Sequence, residues 1–156
     1  MEVIVEQITP HHPKAKALLK ASMDEMAALY PLSSQHPLSL EEAERGVMMV
    51  AWRQGETVAC GVLRPLEPDI GEIKRMFVTE NHRRQGVARK VLHELEAIAN
   101  KLGYKKLRLE TGKLQPGAIA LYETSGYREI PPFGDYIDDR WSLCFEKTLK
   151  PDAPTK

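Results

Sequence analysis

The sequence predicts an α/β (α+β) fold, in which a mixed sheet of about seven strands carries helices on both faces. Three observations support this prediction. Strand-like segments alternate apolar and polar residues, other segments repeat apolar residues at helical spacing, and turns rich in glycine or proline separate them. Because the two kinds of segment are interleaved along the chain, the helices are expected to cover the sheet rather than form a separate bundle.

The first third of the chain predicts one strand and two helices. Residues 2–8 form the first strand. Pro13 suits the first turn of a helix that continues to about Leu29. Residues 39–42 match a capping box, which begins a short second helix. The apolar face expected for the first helix consists of Leu19, Met23, Met26 and Tyr30.

The remaining elements alternate more regularly. Residues 47–53 and 57–64 flank a Gln-Gly turn and predict a hairpin. The strongest helical pattern covers residues 85–102, and Gly103 supplies its C-terminal cap. The other segments predict strands at 71–78, 106–110, 127–129 and 141–147, and a short helix at 118–124.

Length and composition limit the classes of protein to which the chain belongs. Its 156 residues suffice for one domain, expected over residues 1–150, followed by a flexible tail over residues 151–156. A formal net charge of zero gives no general attraction to nucleic acid or to membranes, so neither is expected as a partner. No apolar run approaches the roughly 20 residues of a membrane span, and the N-terminus does not resemble a secretory signal.

The two cysteines indicate a reducing environment. Cys60 and Cys144 lie in separate strand-like segments without metal-ligand spacing, so they are expected to be small buried residues rather than ligands. A reducing, cytoplasmic location and the absence of a metal cofactor are therefore predicted.

A basic turn at the start of the strongest helix suggests a ligand. Residues 83–88 read Arg-Arg-Gln-Gly-Val-Ala. A helix start presents unpaired N–H groups and the positive end of the helix dipole, which together favour phosphate. Gly86 allows close approach of the backbone, and Arg83, Arg84 and Arg89 can balance phosphate charge. The alternative is a solvated helix start.

Three segments in this order resemble the GCN5-related N-acetyltransferase (GNAT) family. The strand 71–78 comes first. The family's acetyl-CoA motif, Arg/Gln-x-x-Gly-x-Gly/Ala, is matched by Arg83, Gly86 and Ala88. Its second motif is an Ala-x-x-Leu-Tyr run followed by Gly-aromatic, and the matching residues are Ala118, Leu121, Tyr122, Gly126 and Tyr127.

The resemblance implies a mostly antiparallel, GNAT-like sheet with a splayed central strand, and acetyl-CoA as cosubstrate. In the predicted strand 71–78, polar and apolar residues occur on both faces, a conflict that a bulge would remove. The implied cofactor-binding residues are Met76, Phe77, Val78, Arg83, Arg84, Gln85, Gly86, Val87, Ala88, Arg89 and Gln115. Gln115 stands where many relatives have asparagine; it keeps the amide donor but reaches one methylene further.

The resemblance also implies an acid and a base. Glu72 precedes Arg83 by eleven residues, the offset of the glutamate base in the histone-acetylating branch. Tyr122 occupies the position of the general acid that returns a proton to the thiolate. The alternatives are an ion-paired strand carboxylate for Glu72 and a core tyrosine for Tyr122. The substitute bases are Asp135, Asp138, Asp139 and His82.

The acceptor site is expected between the loops 29–40 and 131–140, by the same resemblance. The candidate substrate-binding residues are Tyr30, Arg75, Phe133, Asp135 and Tyr136, with His36 nearby. Aspartates in the second loop would attract an ammonium group, whereas Arg75 or Arg64 would attract a carboxylate. A small-molecule primary amine is the favoured acceptor. The alternatives are a protein lysine or N-terminus and a catalytically silent acyl-CoA-binding module, and a homodimer is possible.

Overall fold

Four α-helices and seven strands follow one another in the predicted order in a computed structural model, which describes residues 2–150. The predicted tail, residues 151–156, lies outside the described residues. The helices are α1 (Pro13–Leu29), α2 (Leu40–Arg45), α3 (Val87–Lys101) and α4 (Pro116–Thr124). The strands are β1 (Ile4–Ile8), β2 (Val47–Arg53), β3 (Glu56–Glu67), β4 (Ile70–Val78), β5 (Lys106–Gly112), β6 (Arg128–Ile130) and β7 (Ser142–Thr148).

The strands form one sheet in the order β1-β2-β3-β4-β5-β7-β6. Only β4 and β5 are parallel neighbours among the described strands, and α3 provides the connection between them. The predicted mixed, mostly antiparallel sheet is therefore confirmed. Across residues 2–150, no helix combines the length and the apolar character needed to cross a membrane.

Two apolar cores lie on opposite faces of the sheet. Residues of α3 and α4, including Val91, Leu95 and Tyr122, pack on one face. Residues of α1 and α2, including Ala15 and Ala43, pack on the other. The structure corrects the predicted face of α1, because Ala15, Leu18 and Ser22 are its buried residues and Met23 is 41% exposed. The later apolar residues Met26 and Leu29 line a cleft instead of entering the core.

The bulge inferred from the broken alternation is present in β4. Cys60 of β3 pairs with Phe77, but Val62 pairs with Lys74, so β4 contains one extra residue. Arg75 lies within this bulge with a φ of 57°, in the left-handed region. Ile73 and Met76 are three residues apart and would point to opposite faces of a regular strand. Because of the extra residue, both pack against the core beneath α3.

Beyond the bulge, β4 and β5 no longer pair. Their registered pairs end at Ile73 and Leu109, although β4 continues to Val78 and β5 to Gly112. The predicted splay of the central strand is thus confirmed. The divergence leaves an opening in the middle of the sheet.

Tyr30, at the C-terminal end of α1, lies across the end of β5. Its hydroxyl donates to Gln115 Oε1 at 3.2 Å and accepts from Leu114 N at 3.1 Å. A side chain at Gly112 would overlap the Tyr30 ring and hydroxyl, so the absence of a Cβ allows this contact. Tyr30 thereby fixes α1 over one end of the opening.

Gly112→Ala is expected to destabilise the fold by about 3 kcal/mol, because the new methyl group displaces Tyr30 from a packed position. Chemical denaturation of Gly112→Ala, Tyr30→Ala and the double variant measures the coupling between the two sites. In the Tyr30→Ala background, Gly112→Ala should cost little. Gly117→Ala is the matched control, because a Cβ there meets nothing within 4 Å. If the losses in free energy of unfolding of the two single variants simply add in the double variant, the clash with Tyr30 is not the cause of the Gly112→Ala defect.

Candidate active site

A cleft of about 710 Å³ lies between α1, β4, the start of α3 and α4. Its position coincides with the opening between β4 and β5. The predicted cofactor-binding residues that line the cleft are Met76, Phe77, Val78, Arg83, Arg84, Gly86, Val87, Ala88, Arg89 and Gln115. Gln85 does not line it, since its side chain accepts a hydrogen bond from Arg53 Nη1 at 2.5 Å.

The start of α3 faces this cleft with unpaired backbone donors. Gly86 precedes the helix with a φ of 79°, and no side chain caps the first turn. The first amide that bonds within the helix is Lys90 N, which donates to Gly86 O at 3.2 Å. The amides of Val87, Ala88 and Arg89 are therefore the free donors of the helix start, as anion binding requires.

The three arginines of the turn differ in their partners. Arg83 forms an ion pair with Glu25 of α1 at 2.9 Å and donates to Val78 O at 2.8 Å. Arg89 donates to the hydroxyls of Thr124 and Ser125, which leave its charge uncompensated. Arg84 is exposed. Positive charge toward the cleft therefore comes mainly from Arg84 and Arg89.

Tyr122 lines the cleft from α4 although only 4% of it is exposed. Its ring packs against Tyr127 and Phe145. Burial, followed by the negative charge of Glu110, raises the pKa of Tyr122 well above its ordinary value. The phenol is therefore protonated at neutral pH and able to donate.

A second, smaller pocket of about 70 Å³ adjoins the cleft. The residues that line both cavities are Met26, Arg75 and Gln115. The other lining residues of the pocket are Tyr30, Ser34, Gln35, His36, Lys74, Glu110, Gly112, Tyr136, Asp139 and Trp141. The predicted substrate-binding residues Tyr30, Arg75 and Tyr136 are thus brought together.

Glu110 is a carboxylate of this pocket that the sequence analysis did not identify. It lies directly after the last β4–β5 pair and accepts a hydrogen bond from Ser142 Oγ at 2.5 Å. Burial raises the pKa of Glu110, and the Ser142 hydrogen bond only partly opposes this effect. The available signal was its place at the C-terminal end of a strand parallel to β4.

A histidine–aspartate pair forms another wall of the pocket. His36 Nε2 lies 2.7 Å from Asp139 Oδ2, and Asp139 also accepts from Ser34 Oγ and Trp141 N at 2.9 Å. Burial disfavours the Asp139 carboxylate, but these hydrogen bonds outweigh it and lower the pKa of Asp139. Asp139, a substitute base in the sequence analysis, is thus already supplied with donors.

His36, Glu110 and Asp139 are also the residues that could hold a metal ion. One ligand atom from each lies within 4.8 Å of the others. An imidazole with two carboxylates is a ligand set that suits several divalent metals.

Glu72, the predicted base, is 2% exposed and lines neither cavity. Its carboxylate accepts from Tyr136 Oη at 2.7 Å and lies 3.4 Å from Arg64 Nε. Arg64 in turn pairs with Glu42 of α2 at 2.7 Å. Glu72 therefore belongs to a chain of polar contacts behind the pocket, and Tyr136 connects it to the pocket wall.

The remaining candidates do not line the pocket. Phe133 packs against Tyr136, with 5.3 Å between ring centroids, and lies beneath the Arg108 guanidinium. Asp135 and Asp138 are exposed. His82 lines the large cleft, where its Nδ1 is 3.0 Å from Thr79 Oγ1.

Comparison with known proteins identifies the family to which the chain belongs. The sequence model of the Acetyltransferase (GNAT) family matches residues 15–127. The uncharacterized N-acetyltransferase YsnE of Bacillus subtilis is 35% identical over 155 residues, covering 96% of this chain and all of that protein. The IAA acetyltransferase of Azospirillum brasilense is 40% identical over 124 residues, 78% of this chain and 81% of that protein.

A solved structure from Klebsiella pneumoniae, which bears the name acyl-CoA N-acyltransferase, superposes with a TM-score of 0.80 at 34% identity. It covers 95% of this chain, and this chain covers 98% of it. With the family match, the two curated relatives and the cleft at the start of α3, the conclusion is that this chain belongs to the GNAT family of acetyl-CoA-dependent N-acetyltransferases.

Proposed function

We propose that the protein transfers an acetyl group from acetyl-CoA to a primary amine of a small molecule by direct attack. The observation that carries the proposal is the junction of two unlike cavities. The large cleft has anion-binding amides and Tyr122, whereas the small pocket has a buried carboxylate, and Arg75 and Gln115 line both. Donor and acceptor would thus meet where β4 and β5 diverge.

Acetyl-CoA would lie along the large cleft. Its pyrophosphate would accept hydrogen bonds from the first-turn amides of α3, with Arg84 and Arg89 balancing charge. Its pantetheine arm would follow the unpaired backbone of β4 beside Met76 and Val78, which no longer pair with β5. A backbone N–H there would polarise the thioester carbonyl.

A general base is needed because an alkyl ammonium has a pKa near ~10.4 and is almost wholly protonated at neutral pH. Two carboxylates are proposed for this role. Glu110 is favoured over the sequence-derived Glu72, since Glu110 lines the acceptor pocket and Glu72 does not. The raised pKa of Glu110 makes it a stronger base than an ordinary carboxylate.

Tyr122 is proposed as the general acid. It lines the cleft from α4, and burial keeps its hydroxyl protonated. A free thiol has a pKa near ~8.5, so a phenol of raised pKa protonates a thiolate only when the thiolate is equally desolvated. Protonation of the leaving group would therefore be coupled to exclusion of water from the cleft.

The size of the pocket supports a small acceptor. A volume of about 70 Å³ accommodates the end of a small molecule rather than a folded protein surface. A protein lysine or N-terminus entering as an extended chain is the alternative acceptor, and a silent acyl-CoA-binding module is the alternative of another class. The homodimer, the cytoplasmic location and the absence of a metal cofactor stay predictions of the sequence.

A thiol-release assay distinguishes these functions. The wild-type protein would be titrated with acetyl-CoA and then supplied with amino acids, polyamines, aryl-alkylamines and lysine peptides. Turnover on small amines supports the proposal. Turnover on peptides alone favours the protein acceptor, and binding of acetyl-CoA without turnover favours the silent module.

Gly86→Ala is expected to weaken acetyl-CoA binding, because alanine at a φ of 79° costs about 1 kcal/mol and shifts the first-turn amides. Gly103→Ala is the matched control at the other end of α3, where φ is 87° and a Cβ likewise meets nothing. Both variants should lose similar stability by thermal unfolding. Isothermal titration should show at least tenfold weaker acetyl-CoA binding only for Gly86→Ala; equal affinities would exclude the turn as the phosphate site.

Glu110→Gln is expected to lower kcat/KM by about 10²-fold or more, the usual contribution of a general base. Because burial raises the pKa of Glu110, wild-type kcat/KM should rise with pH through a midpoint above that of an ordinary carboxyl, as the group ionises. The glutamine variant should lose this rise.

Glu72→Gln serves as the comparison within the same measurement. It should keep the pH dependence while losing stability, because it disturbs the buried contacts to Tyr136 and Arg64. If instead Glu72→Gln abolishes the rise and Glu110→Gln retains it, the sequence-derived assignment of the base is correct.

Tyr122→Phe is expected to lower turnover about 10²-fold while leaving acetyl-CoA affinity unchanged, because only the proton donor is removed. Tyr127→Phe is the matched control. Tyr127 is buried beside Tyr122, but its hydroxyl donates to Glu96 at 2.7 Å and it does not line the cleft. Steady-state turnover and calorimetric affinity should be measured for both. Equal turnover in the two variants would remove Tyr122 from the mechanism.

A further inference from the structure

The charged groups of the small pocket are not equally engaged. Its two acids already have protein donors, namely Ser142 for Glu110 and a set headed by His36 for Asp139. Its two strong cations, Lys74 and Arg75, have no acidic partner within 4 Å among residues 2–150. The groups of the pocket that still lack a partner are therefore positively charged hydrogen-bond donors.

Arg75 shows this most clearly. One of its terminal nitrogens donates to His36 O at 2.7 Å, and the guanidinium makes no other hydrogen bond to residues 2–150. Its Nε is fully buried and has no partner. A buried, unpaired guanidinium N–H costs free energy unless a ligand supplies an acceptor.

Lys74 adds a second donor beside it. No hydrogen bond or ion pair to another residue of 2–150 engages its ammonium group, which lies 5.7 Å from the centre of the Tyr136 ring. Lys74 and Arg75 are consecutive, and in a regular strand they would point to opposite faces. The bulge changes this, because both side chains line the same pocket.

The backbone conformation of Arg75 supports a functional role for the bulge. A φ of 57° is unfavourable for an L residue with a long side chain. Backbone strain of this kind is found mainly at active sites and ligand-binding segments. Arg75 lies at the junction of the two cavities, next to the place where the acceptor nitrogen would meet the thioester.

We propose, on the basis of the proposed function, that the acceptor is an amine that also bears a carboxylate, which Arg75 and Lys74 bind while the amino group faces Glu110. A guanidinium presents two parallel N–H groups to a carboxylate, and the neighbouring ammonium supplies a third donor. Simple alkylamines and polyamines would leave both cations unpaired. The pocket thereby selects amino acids or similar amino carboxylates.

The test compares acceptors that differ only in the anionic group. For each of alanine, leucine and phenylalanine, the wild-type enzyme would receive the amino acid, its carboxamide and the corresponding decarboxylated amine. β-Alanine and 4-aminobutyrate would extend the spacing between amine and carboxylate, and phosphoethanolamine would supply a phosphate in its place. The measurement is kcat/KM for each acceptor at saturating acetyl-CoA.

At least one amino acid is expected to exceed its carboxamide by about 100-fold, the discrimination that a charge-assisted, desolvated contact provides. Arg75→Gln should collapse this ratio toward one, mainly through KM for the acid. Arg75→Lys should retain part of it, because the charge stays but the two-pronged geometry is lost. Arg45→Gln, at an exposed position on α2, is the control for removing a positive charge.

Several outcomes would overturn the inference. Carboxamides or decarboxylated amines that match every acid would do so while leaving the proposed function standing. Preference for phosphoethanolamine would assign the cations to a phosphate. A raised KM for acetyl-CoA in Arg75→Gln, with equal losses on acid and amide, would assign Arg75 to the cofactor. If no amine is acetylated at all, the proposed function itself fails.

A folding defect in Arg75→Gln would not decide the question, so Lys74→Met provides a second variant. Methionine fills a similar volume in a half-buried position and removes only the charge. Circular dichroism and acetyl-CoA binding should be normal, and the acid-to-amide ratio should fall. An unchanged ratio in a folded Lys74→Met variant, together with a weak wild-type preference, contradicts the proposal.

Discussion

The divergence of β4 from β5 is the constraint on which the rest of the site depends. Paired strands would close the sheet and satisfy their own backbone groups, leaving neither space nor free donors at its centre. Pairing ends at Ile73 and Leu109, and the bulge at Arg75 bends β4 away. The large cleft, the small pocket and the position of Glu110 all follow from this separation, with Tyr30 and Gly112 fixing α1 above it.

The two cavities differ in the groups that supply their charge. In the large cleft, binding groups for an anion come mainly from the backbone at the start of α3, because Arg83 is already neutralised by Glu25. In the small pocket, charge comes from largely buried side chains: the acids Glu110 and Asp139 have protein donors, whereas the Arg75 Nε has no partner among residues 2–150. Exposed groups adapt to a ligand cheaply, whereas buried groups are costly to leave unpaired, so the pocket is expected to be the more selective of the two.

Much of the fold and the donor half of the site could be predicted from the sequence, because the signals are local. The turn before α3 and the short motif containing Tyr122 are contiguous, and the broken alternation of residues 71–78 correctly indicated a bulge. The acceptor half depends on distant contacts. In the sequence, Glu110 cannot be distinguished from any other strand carboxylate, because its contact with Ser142 joins residues distant in the chain. The burial of Glu72 could not be predicted either, because its partners Tyr136 and Arg64 belong to other segments. The prediction of the buried face of α1 was wrong because the C-terminal part of that helix borders a cleft rather than a core.

The two ends of the cleft are held by contacts of different strength, the Glu25–Arg83 ion pair at one end and the packing of Tyr30 on Gly112 at the other. Both side chains of the ion pair are about one third exposed, and pairs of this kind contribute only about 0–1 kcal/mol. This ion pair therefore adds little to the packing of Ala15 and Leu18, which holds α1 against the sheet. At the opposite end, the buried Tyr30 is locked over Gly112 by packing and two hydrogen bonds. Of the contacts that α1 makes across the cleft, the one with the turn before α3 is thus the weaker, and a ligand bound at that turn would displace it at lower cost than the contact at Gly112.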